Sequence, residues 1–541
     1  MAGPTATTPD LWLKADTEVY KDSGTTLCAD GETIQQWNDQ SGNARHATAG
    51  TKPVYRATQG PGGVPAVQFA AGSSQYLDNA YTGEPATVFA VYKTTTWNSG
   101  HQTILGADTS ASIALGSYYF KSGDTTARVS FQRITSADSD GSSIDLGAFA
   151  RAQRNVWMIL AGRINGSTIE LYKNEVLIST DTYVPGSLRA ITSPTIGCGW
   201  YNDARVDFAN GHFSELLMYS PTLSSGEFQQ VISYLMSRFG LDYGTRNYLF
   251  STFHGTDEEL YMLTSVNGAA FKNLACNYVP SGSHTVRDPS IMQMPDGTYW
   301  IAHTTGGLGA SSSFDIASSP DGQVWTFQKT VDCSAVTGAN RTWAPEWVKN
   351  RDNTVKLDGS SLPAIAVAIS VDAGSNFTFY ELHPTAADFL TWSTPDDITG
   401  TSLSNSIDMF TEFDGSNYWA YVKQDPSTVS AGNIQLWTSS ALTSGWTISS
   451  SSEPTNWGTG IEGPSLVNLG SVWRAYFDAP NTALYYIDGD SLNLSTTNWG
   501  VRNAVTHPFT DTIVPRHGSV LAPTIIPAVG GITKLLLLGV G

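Results

Sequence analysis

Residues 287–302 read RDPSIMQMPDGTYWIA, in which an apolar run, an Asp-Gly pair and a second apolar run follow one another. Residues 414–421 read DGSNYWAY and repeat the Asp-Gly pair and the run after it. Asp-Gly between β-rich runs predicts a hairpin, because glycine readily adopts the positive φ that a tight turn requires. Both stretches therefore predict paired strands.

The start of the first stretch returns five times in the second half of the chain. The starts are Arg287-Asp288-Pro289-Ser290, Trp343-Ala344-Pro345-Glu346, Ser406-Ile407-Asp408, Ile461-Glu462-Gly463-Pro464 and Arg516-His517-Gly518-Ser519. The markers Asp288, Glu346, Asp408, Glu462 and His517 are 58, 62, 54 and 55 residues apart. An aromatic residue after a turn recurs at a similar spacing, at Phe271, Trp325, Trp392, Trp446 and Trp499. Two markers with one period and no helical periodicity predict a five-bladed β-propeller.

The polar markers point to a site. If each marker opens the innermost strand of a blade, four acids and a histidine meet in one pit on the axis. Like charges raise one another's pKa and need compensation, so a purely structural repeat favours apolar residues there. The polar residues at these repeated positions therefore favour a functional site over a structural repeat.

Length and composition restrict the function further. A chain of 541 residues predicts two domains, and 14% charged residues with 51 glycines indicate a loop-rich, all-β protein. The net charge of −19 disfavours nucleic acid and anionic membranes as partners. Sixteen Trp and 23 Tyr suit a polysaccharide or oligosaccharide partner, although many belong in the core. The oligomeric state is left open.

Compartment and cysteine chemistry are less constrained. Cys28, Cys198, Cys276 and Cys333 lack metal-binding spacing, and both buried thiols and one disulfide in each half remain open. The first residues lack the basic and apolar regions of a signal peptide, and no run of eighteen apolar residues occurs. We expect an extracellular protein with its leader removed, or a virion-associated one, rather than a cytoplasmic one.

The first half lacks the repeat and ends in a helix. Short strands are predicted at 86–92 and 168–172, with Gly, Asn and Asp in the turns between them. Ser224 or Ser225 can cap a helix, and Gly240 ends it. The apolar residues at helical spacing are Phe228, Val231, Ile232, Leu235 and Phe239. We place a linker at 241–246, which separates domains 1–242 and 246–541.

Residues 8–242 resemble laminin-G/concanavalin A-like domains. The resemblance rests on WNDQSGNARHA at 37–47, VQF at 67–69, YL at 76–77 and ELLMY at 215–219, followed by the helix. It implies a jelly-roll β-sandwich, with glycan binding and a spacer role both open.

Residues 246–541 resemble glycoside hydrolase family 43, five-bladed propeller enzymes that attack arabinose- and xylose-containing polysaccharides. The resemblance implies three catalytic roles: Asp288 as general base, Asp408 as the residue that tunes the acid, and Glu462 as general acid. It implies a place for His517 beneath the substrate, near an axial metal or water, so we expect His517 as a ligand of an axial calcium ion. The chain departs from the family in having Glu346 where Asp is usual and Met409 after Asp408.

The remaining candidate residues have two interpretations each. His254 is a candidate sugar contact, Trp343 a stacking platform or a core residue, and Glu346 a sugar ligand or a structural acid. Arg516, like Arg287, either binds substrate or offsets the acidic pit. The catalytic candidates also have structural interpretations: Asp288 can initiate a turn, Asp408 can lie at a hairpin edge, and Glu462 can form a salt bridge. His517 can be a core histidine.

Inverting hydrolysis explains why two carboxyls are needed. One protonates the leaving oxygen and the other activates water from the opposite face, roughly 6.5–9.5 Å away. A charged Asp408 would raise the pKa of Glu462, while Asp288, hydrogen-bonded and partly solvated, stays ionised. We predict an inverting hydrolase of α-L-arabinofuranosyl or β-xylosyl linkages. The alternatives are a non-catalytic glycan-binding protein and a phage-tail or surface component that recognises polysaccharide. A sialidase is disfavoured because no arginine triad is apparent, and a serine hydrolase because no Gly-x-Ser-x-Gly occurs.

Overall fold

The chain divides into two compact units, Met1–Asp242 and Tyr243–Gly541. A computed structural model describes residues 4–95, 102–107, 113–119, 127–133, 150–151, 155–182, 190–201, 204–220, 222–241, 247–255, 258–348, 362–374, 376–399, 403, 405–424, 433–469, 472–479, 482–493, 498–509 and 515–522. Most of the predicted linker, 242–246, lies outside these ranges. Within them, no helix has the length and apolar character needed to cross a membrane.

The first unit contains, in the part that the structure describes, two large antiparallel sheets and two small ones. Its strands are β1 (Leu11–Lys14), β2 (Val19–Tyr20), β3 (Gln36–Trp37), β4 (Ala47–Thr51), β5 (Val54–Arg56), β6 (Ala66–Phe69), β7 (Tyr76–Asn79), β8 (Thr82–Gly83), β9 (Thr87–Thr94), β10 (Gln102–Gly106), β11 (Ile113–Tyr119), β12 (Ala127–Arg133), β13 (Ala150–Arg151), β14 (Met158–Asn165), β15 (Thr168–Lys173), β16 (Val176–Thr182), β17 (Ile191–Thr192), β18 (Thr195–Ile196), β19 (Gly199–Tyr201), β20 (Ala204–Val206) and β21 (Gly211–Tyr219). One sheet has the order β16-β15-β14-β9-β21-β6-β5, with β1 also on β21, and the other β13-β12-β11-β10-β18-β7-β4-β3-β2. The two-stranded sheets are β17-β8 and β19-β20.

The predicted helix is confirmed as α1 (Ser225–Arg238), the one α-helix among the described residues. Ser224 caps it, because its hydroxyl accepts from the Glu227 amide while the Glu227 carboxylate accepts from the Ser224 amide. Its apolar face is buried, with the Phe228 ring 4.6 Å from Tyr172 and 5.0 Å from Phe89. Gly240, with φ +60°, follows the helix as predicted.

The second unit contains, in its described residues, five four-stranded antiparallel sheets. Its strands are β22 (Tyr248–His254), β23 (Leu260–Ser265), β24 (Lys272–Leu274), β25 (Arg287–Gln293), β26 (Tyr299–Thr304), β27 (Ser313–Ser319), β28 (Thr326–Asp332), β29 (Arg341–Val348), β30 (Ala364–Ser370), β31 (Thr378–Leu382), β32 (Asp396–Asp397), β33 (Ser406–Phe413), β34 (Tyr418–Gln424), β35 (Ile434–Ser439), β36 (Thr447–Ser450), β37 (Glu462–Asn468), β38 (Trp473–Ala479), β39 (Ala483–Gly489), β40 (Asn503–Ala504) and β41 (Pro515–Leu521). The sheets are β24-β23-β22-β41, β25-β26-β27-β28, β29-β30-β31-β32, β33-β34-β35-β36 and β37-β38-β39-β40. The predicted all-β class is confirmed.

Five strands of this unit contact one another in a closed circuit. Strand β25 contacts β29, β29 contacts β33, β33 contacts β37, β37 contacts β41, and β41 contacts β25. We call these five the ring strands. Each polar marker lies within the first six residues of a ring strand. Strand β41, the last described strand, pairs with β22, the first described strand of this unit, so the two share one sheet.

The turn glycines and four of the aromatic markers make contacts close to themselves in the chain. Gly297 and Gly415 have positive φ in the turns β25–β26 and β33–β34. In Trp325, Trp392, Trp446 and Trp499 the indole N–H donates to a backbone carbonyl three to six residues earlier. Apolar cores lie between neighbouring sheets. All four cysteines are free thiols, three of them buried, so the disulfide alternative is wrong.

Candidate active site

Four of the ring strands contain a β-bulge near their first residues. The pairing register shifts between Arg287 and Ser290, Trp343 and Glu346, Ile407 and Phe410, and Glu462 and Ser465. Each bulge contains one residue in the left-handed region, namely Asp288 (φ 49°), Ala344 (φ 47°), Asp408 (φ 55°) and Gly463 (φ 61°). Bulges bend a strand and re-aim its side chains, and a non-glycine residue in this region costs about 1–3 kcal/mol. The repeated motif therefore encodes a repeated distortion that directs side chains to one place.

The bulges also correct the equivalence of the markers. Asp288, Ala344 and Asp408 occupy the same bulge position, whereas Glu346 lies two residues further along its strand. Glu346 is therefore equivalent to Ser290, and its carboxyl interacts with the Ser290 and Ser519 hydroxyls. Glu346 therefore stands two residues beyond the position that Asp288 and Asp408 occupy in their own strands. Glu462 precedes the bulge residue of its own strand, Gly463.

Four carboxylates surround the imidazole of His517. On one side, Nε2 lies 3.1 Å from Asp288 Oδ1 and 3.8 Å from Asp408 Oδ2. On the other, Nδ1 lies 3.1 Å from Asp478 Oδ1 and 4.0 Å from Glu462 Oε1. We call these five residues the carboxylate cluster. Three predicted catalytic acids and His517 thus come together, and Asp288 and Glu462 meet opposite nitrogens of one ring.

Backbone and hydroxyl groups hold the cluster. Thr304 Oγ1 donates to Asp288 Oδ2 at 2.8 Å and accepts from the Ala344 amide of the next sheet at 2.9 Å. The Gly463 amide donates to Asp408 Oδ2 at 3.1 Å. A Cβ at position 463 would lie 1.9 Å from Cγ of His517, so the close approach of this strand to the ring requires glycine.

Asp478 is a cluster residue that the sequence did not reveal. It lies on β38, directly opposite Glu462 in the strand pairing, and its side chain is 1% exposed. It accepts from Arg516 Nε at 2.5 Å, and Arg516 also pairs with the Glu462 carboxylate. The only sequence signal was its place in the hairpin after Glu462, and using that signal requires the register.

Burial and charge separate the pKa values of the catalytic candidates. Burial acts to raise the pKa of Asp288, but the contact with the His517 imidazolium and the Thr304 hydrogen bond hold it below its usual range. Burial, and then the charge of Asp478, raise the pKa of Glu462 to about 7 against the attraction of His517 and Arg516. Asp408 also raises it but is the smallest of these causes, so burial rather than Asp408 is the main one.

The other cluster residues complete this pattern. Burial, and repulsion by Asp288 and Asp478, raise the pKa of Asp408 against the attraction of His517. Burial acts to lower the pKa of His517, but the charges of Asp478 and Asp408 raise it well above its usual value. The ring is therefore an imidazolium at neutral pH. Burial raises the pKa of Glu346 to about 8, which makes it a neutral carboxyl behind the cluster.

The residues around His517 do not fit a calcium ion in this arrangement. Glu462, Asp478 and His517 offer ligand atoms that lie within 4.8 Å of one another. Arg516 already pairs with both carboxylates. Calcium also takes roughly six to eight oxygen ligands. The axial calcium ion, with His517 as its ligand, stays a prediction.

The remaining candidates lie around the cluster. His254 is buried, with its ring 6.2 Å from Tyr261 and 6.3 Å from Phe509. Trp343 stacks on Phe377, with ring centroids 4.7 Å apart, which favours the interpretation of Trp343 as a core residue. Arg287 pairs with Glu258 at 2.8 Å. A cavity of about 20 Å³ lies against Asp288, Asp408 and His517, and a space of this size accommodates a single water molecule.

Comparison with known proteins identifies the second unit. Residues 244–525 match a family related to glycoside hydrolase family 43 and described as a probable glycosyl hydrolase domain. No curated protein sequence matches the chain.

Similar solved structures include an arabinanase of Bacillus subtilis, with 16% identity and a TM-score of 0.28 over 41% of this chain and 77% of that one. An α-L-arabinofuranosidase of Fusarium graminearum has 14% identity and a TM-score of 0.33 over 47% and 75%. The intramolecular trans-sialidase of leech has 11% identity and a TM-score of 0.29 over 79% and 88%. The family match covers more than half of the chain, and the chain therefore belongs to the glycoside hydrolase family 43-related family of probable glycosyl hydrolase domains.

Proposed function

We propose that the second unit is a five-bladed β-propeller and an inverting glycoside hydrolase, with Glu462 as general acid and Asp288 as general base. The family match supports a glycoside hydrolase. We propose pentosyl linkages in polysaccharide, α-L-arabinofuranosyl or β-xylosyl, as the substrate. The closed circuit of ring strands, each belonging to its own four-stranded sheet, supports the propeller.

The separation of the two pKa values carries the catalytic proposal. Inverting hydrolysis requires one carboxyl that is protonated and one that is ionised at the same pH. Glu462, with its pKa raised to about 7, and Asp288, with its pKa lowered, meet this requirement. Asp288 lines the cavity of about 20 Å³ that accommodates one water molecule, as a base that deprotonates water requires.

In the proposed reaction, Asp288 takes a proton from water, and the water oxygen bonds to the anomeric carbon. The glycosidic bond breaks, and its electron pair goes to the leaving oxygen, which receives the proton of Glu462. The imidazolium of His517 keeps Asp288 ionised before this step. Arg516 has to loosen its pairing with Glu462 for the proton to be delivered, and protonation of Glu462 itself weakens that pairing.

The test is a panel of nitrophenyl α-L-arabinofuranoside, β-xyloside and β-galactoside with arabinan, arabinoxylan and galactan. We expect turnover of at least one pentoside, with inversion at the anomeric carbon by NMR. Retention of configuration would contradict the proposed mechanism. Glu462→Gln and Asp288→Asn chains with the parent's rate on natural polymer would exclude the enzyme altogether.

One observation favours a second candidate, a non-catalytic glycan-binding protein or a phage-tail or surface component that recognises polysaccharide. The pairing of Arg516 with Glu462 occupies the carboxyl that must act as acid. In this case the panel shows no turnover, while the chain still sediments with insoluble arabinoxylan.

We propose that the first unit is a concanavalin A-like β-sandwich that brings the second unit to polymer. Its two large antiparallel sheets support this fold. Deletion of residues 1–242 should leave the rate on small glycosides unchanged and lower the rate on polymer. An equal rate on polymer would favour a spacer.

A further inference from the structure

A second and larger cavity lies at the other end of the ring strands. Its volume is about 790 Å³, within the range of roughly 300–1,000 Å³ that is typical of small-molecule pockets. Its lining includes 291–293, 410–414, 466–468 and 519–522, which follow the cluster residues in four ring strands. Glu412 lies four residues beyond Asp408, roughly 13 Å along an extended strand. We call this space the distal cavity.

Two tryptophans line the distal cavity beside polar groups. Trp419 on β34 is paired opposite Glu412, and Trp473 on β38 opposite Asn468. Residues directly opposite on antiparallel strands have Cβ atoms roughly 4.5–5.5 Å apart. Trp419 Nε1 donates to Asp414 Oδ2 at 2.6 Å, which fixes the plane of the indole. Each hairpin thus presents an aromatic ring next to a hydrogen-bonding side chain.

Trp300 shows that this arrangement is not a requirement of the sheets. Trp300 has the place in its hairpin that Trp419 has in its own, opposite Met292. Its ring stacks on Phe389 at 4.4 Å, and it does not line the distal cavity. Trp419 and Trp473 also pack against the core between their sheets, but unlike Trp300 both of them line the distal cavity.

We propose that the distal cavity binds a neutral saccharide. A sugar ring has an apolar face for Trp419 or Trp473 and hydroxyls for Glu412, Asn468 and Gln293. Among the described residues that line the cavity there is no Lys, Arg or His, whereas Glu412 and Asp414 repel an acidic sugar. The proposal is independent of hydrolysis, because the cluster residues Asp288, Asp408 and His517 do not line this cavity.

The experiment titrates the full-length Asp288→Asn chain, which holds sugar without turnover, with arabinotriose, xylotriose and trigalacturonate in a calorimeter. We expect at least one neutral trisaccharide to bind and trigalacturonate to bind at least tenfold more weakly. Adding Trp419→Ala and Trp473→Ala to the Asp288→Asn chain should remove one binding site or weaken it roughly tenfold, as the loss of a central aromatic contact does. With Trp419→Phe in place of Trp419→Ala, most of the affinity should return, because phenylalanine keeps an aromatic face.

Glu412→Gln tests the polar contact without removing an aromatic ring, and Asp396→Asn, an exposed carboxylate on β32, is its matched control. We expect weaker binding of the neutral sugar for the first and no change for the second. A parent chain that binds no neutral trisaccharide overturns the proposal. So does unchanged affinity and stoichiometry in both the tryptophan and the Glu412 variants. Activity on nitrophenyl glycosides is measured separately, so loss of hydrolysis does not count against this site.

Discussion

The two ends of the ring strands carry opposite kinds of chemistry. At their first residues, bulges bring ionisable side chains together around His517, and charge balance sets the protonation of each. Two to six residues further along, the same strands line a cavity with tryptophan, amide and carboxylate groups and no cation among the described lining. Among the described lining residues, only Glu346 and Phe410 line both spaces.

This difference teaches how one repeat can serve two purposes. A bulge changes which side chain points inward, so the residues before and after it are selected independently. The strained, charged end suits bond cleavage, whereas the regular, aromatic end suits binding. Changes at the first end should therefore alter rate, and changes at the second end should leave it.

The largest effect is expected for Asp288→Asn. No other carboxylate in the cluster combines a lowered pKa with a comparable exposure, so the rate should fall about 10²–10⁴-fold on nitrophenyl glycosides and polymer alike. Steady-state kinetics with Asp396→Asn as control measures this. A rate within tenfold of the parent would remove Asp288 from the role of base.

Glu462→Gln should separate substrates by their leaving groups. Natural polymer needs a proton on the leaving oxygen and should lose about 10²–10⁴-fold in kcat, while activated aryl glycosides should retain partial activity. Equal losses on both substrates would contradict the role of Glu462 as acid. Azide rescue of the variant is not expected, because no covalent intermediate forms.

Replacing Asp478 should shift the pH profile of activity more than replacing Asp408. Activity requires protonated Glu462, so kcat/KM should fall as pH rises through about 7. Asp478 raises the pKa of Glu462 more than Asp408 does, so Asp478→Asn should move this alkaline limb to lower pH by more than Asp408→Asn. Profiles from pH 5 to 9 test the order, and the reverse order would reassign the tuning to Asp408.

Glu346→Gln should change how stability depends on pH. The pKa of Glu346 is raised from 4.5 to about 8 in the folded chain, so the folded state binds the extra proton and loses stability as pH rises between these values. The variant removes this loss, and its Tm should fall less than the parent's between pH 5 and 8.5, by a few degrees. Glu412→Gln serves as control. Parallel Tm curves would contradict the burial effect.

The smallest effect is expected for Trp419→Ala. Trp419 lies at the distal end, so kcat on nitrophenyl glycosides should stay within about twofold of the parent. Circular dichroism confirms the fold of the variant. A tenfold loss of kcat in a folded variant would show that the two ends of the ring strands are coupled.

Much of the cluster could be predicted because its signals are local. Asp288, Asp408, Glu462 and His517 stand in motifs that recur with one period, and a repeated motif places its members at equivalent ends of equivalent strands. Glu346 was aligned with them wrongly, because this acid stands two residues later in its bulge than Asp288 and Asp408 do in theirs. That offset is invisible without the strand pairing.

The amino-acid sequence by itself determined the all-β class, the Asp-Gly hairpins, the capped helix after Ser224 and three of the four acids that meet at His517. These depend on neighbours within one hairpin, one helical turn or one repeat. Only the tertiary structure decided that Asp478 and Arg516 set the charge around Glu462, and that Trp419 and Trp473 line one cavity. These depend on strand register and on contacts between side chains from different sheets, and a side chain's burial and electrostatic surroundings exist only once those sheets have assembled.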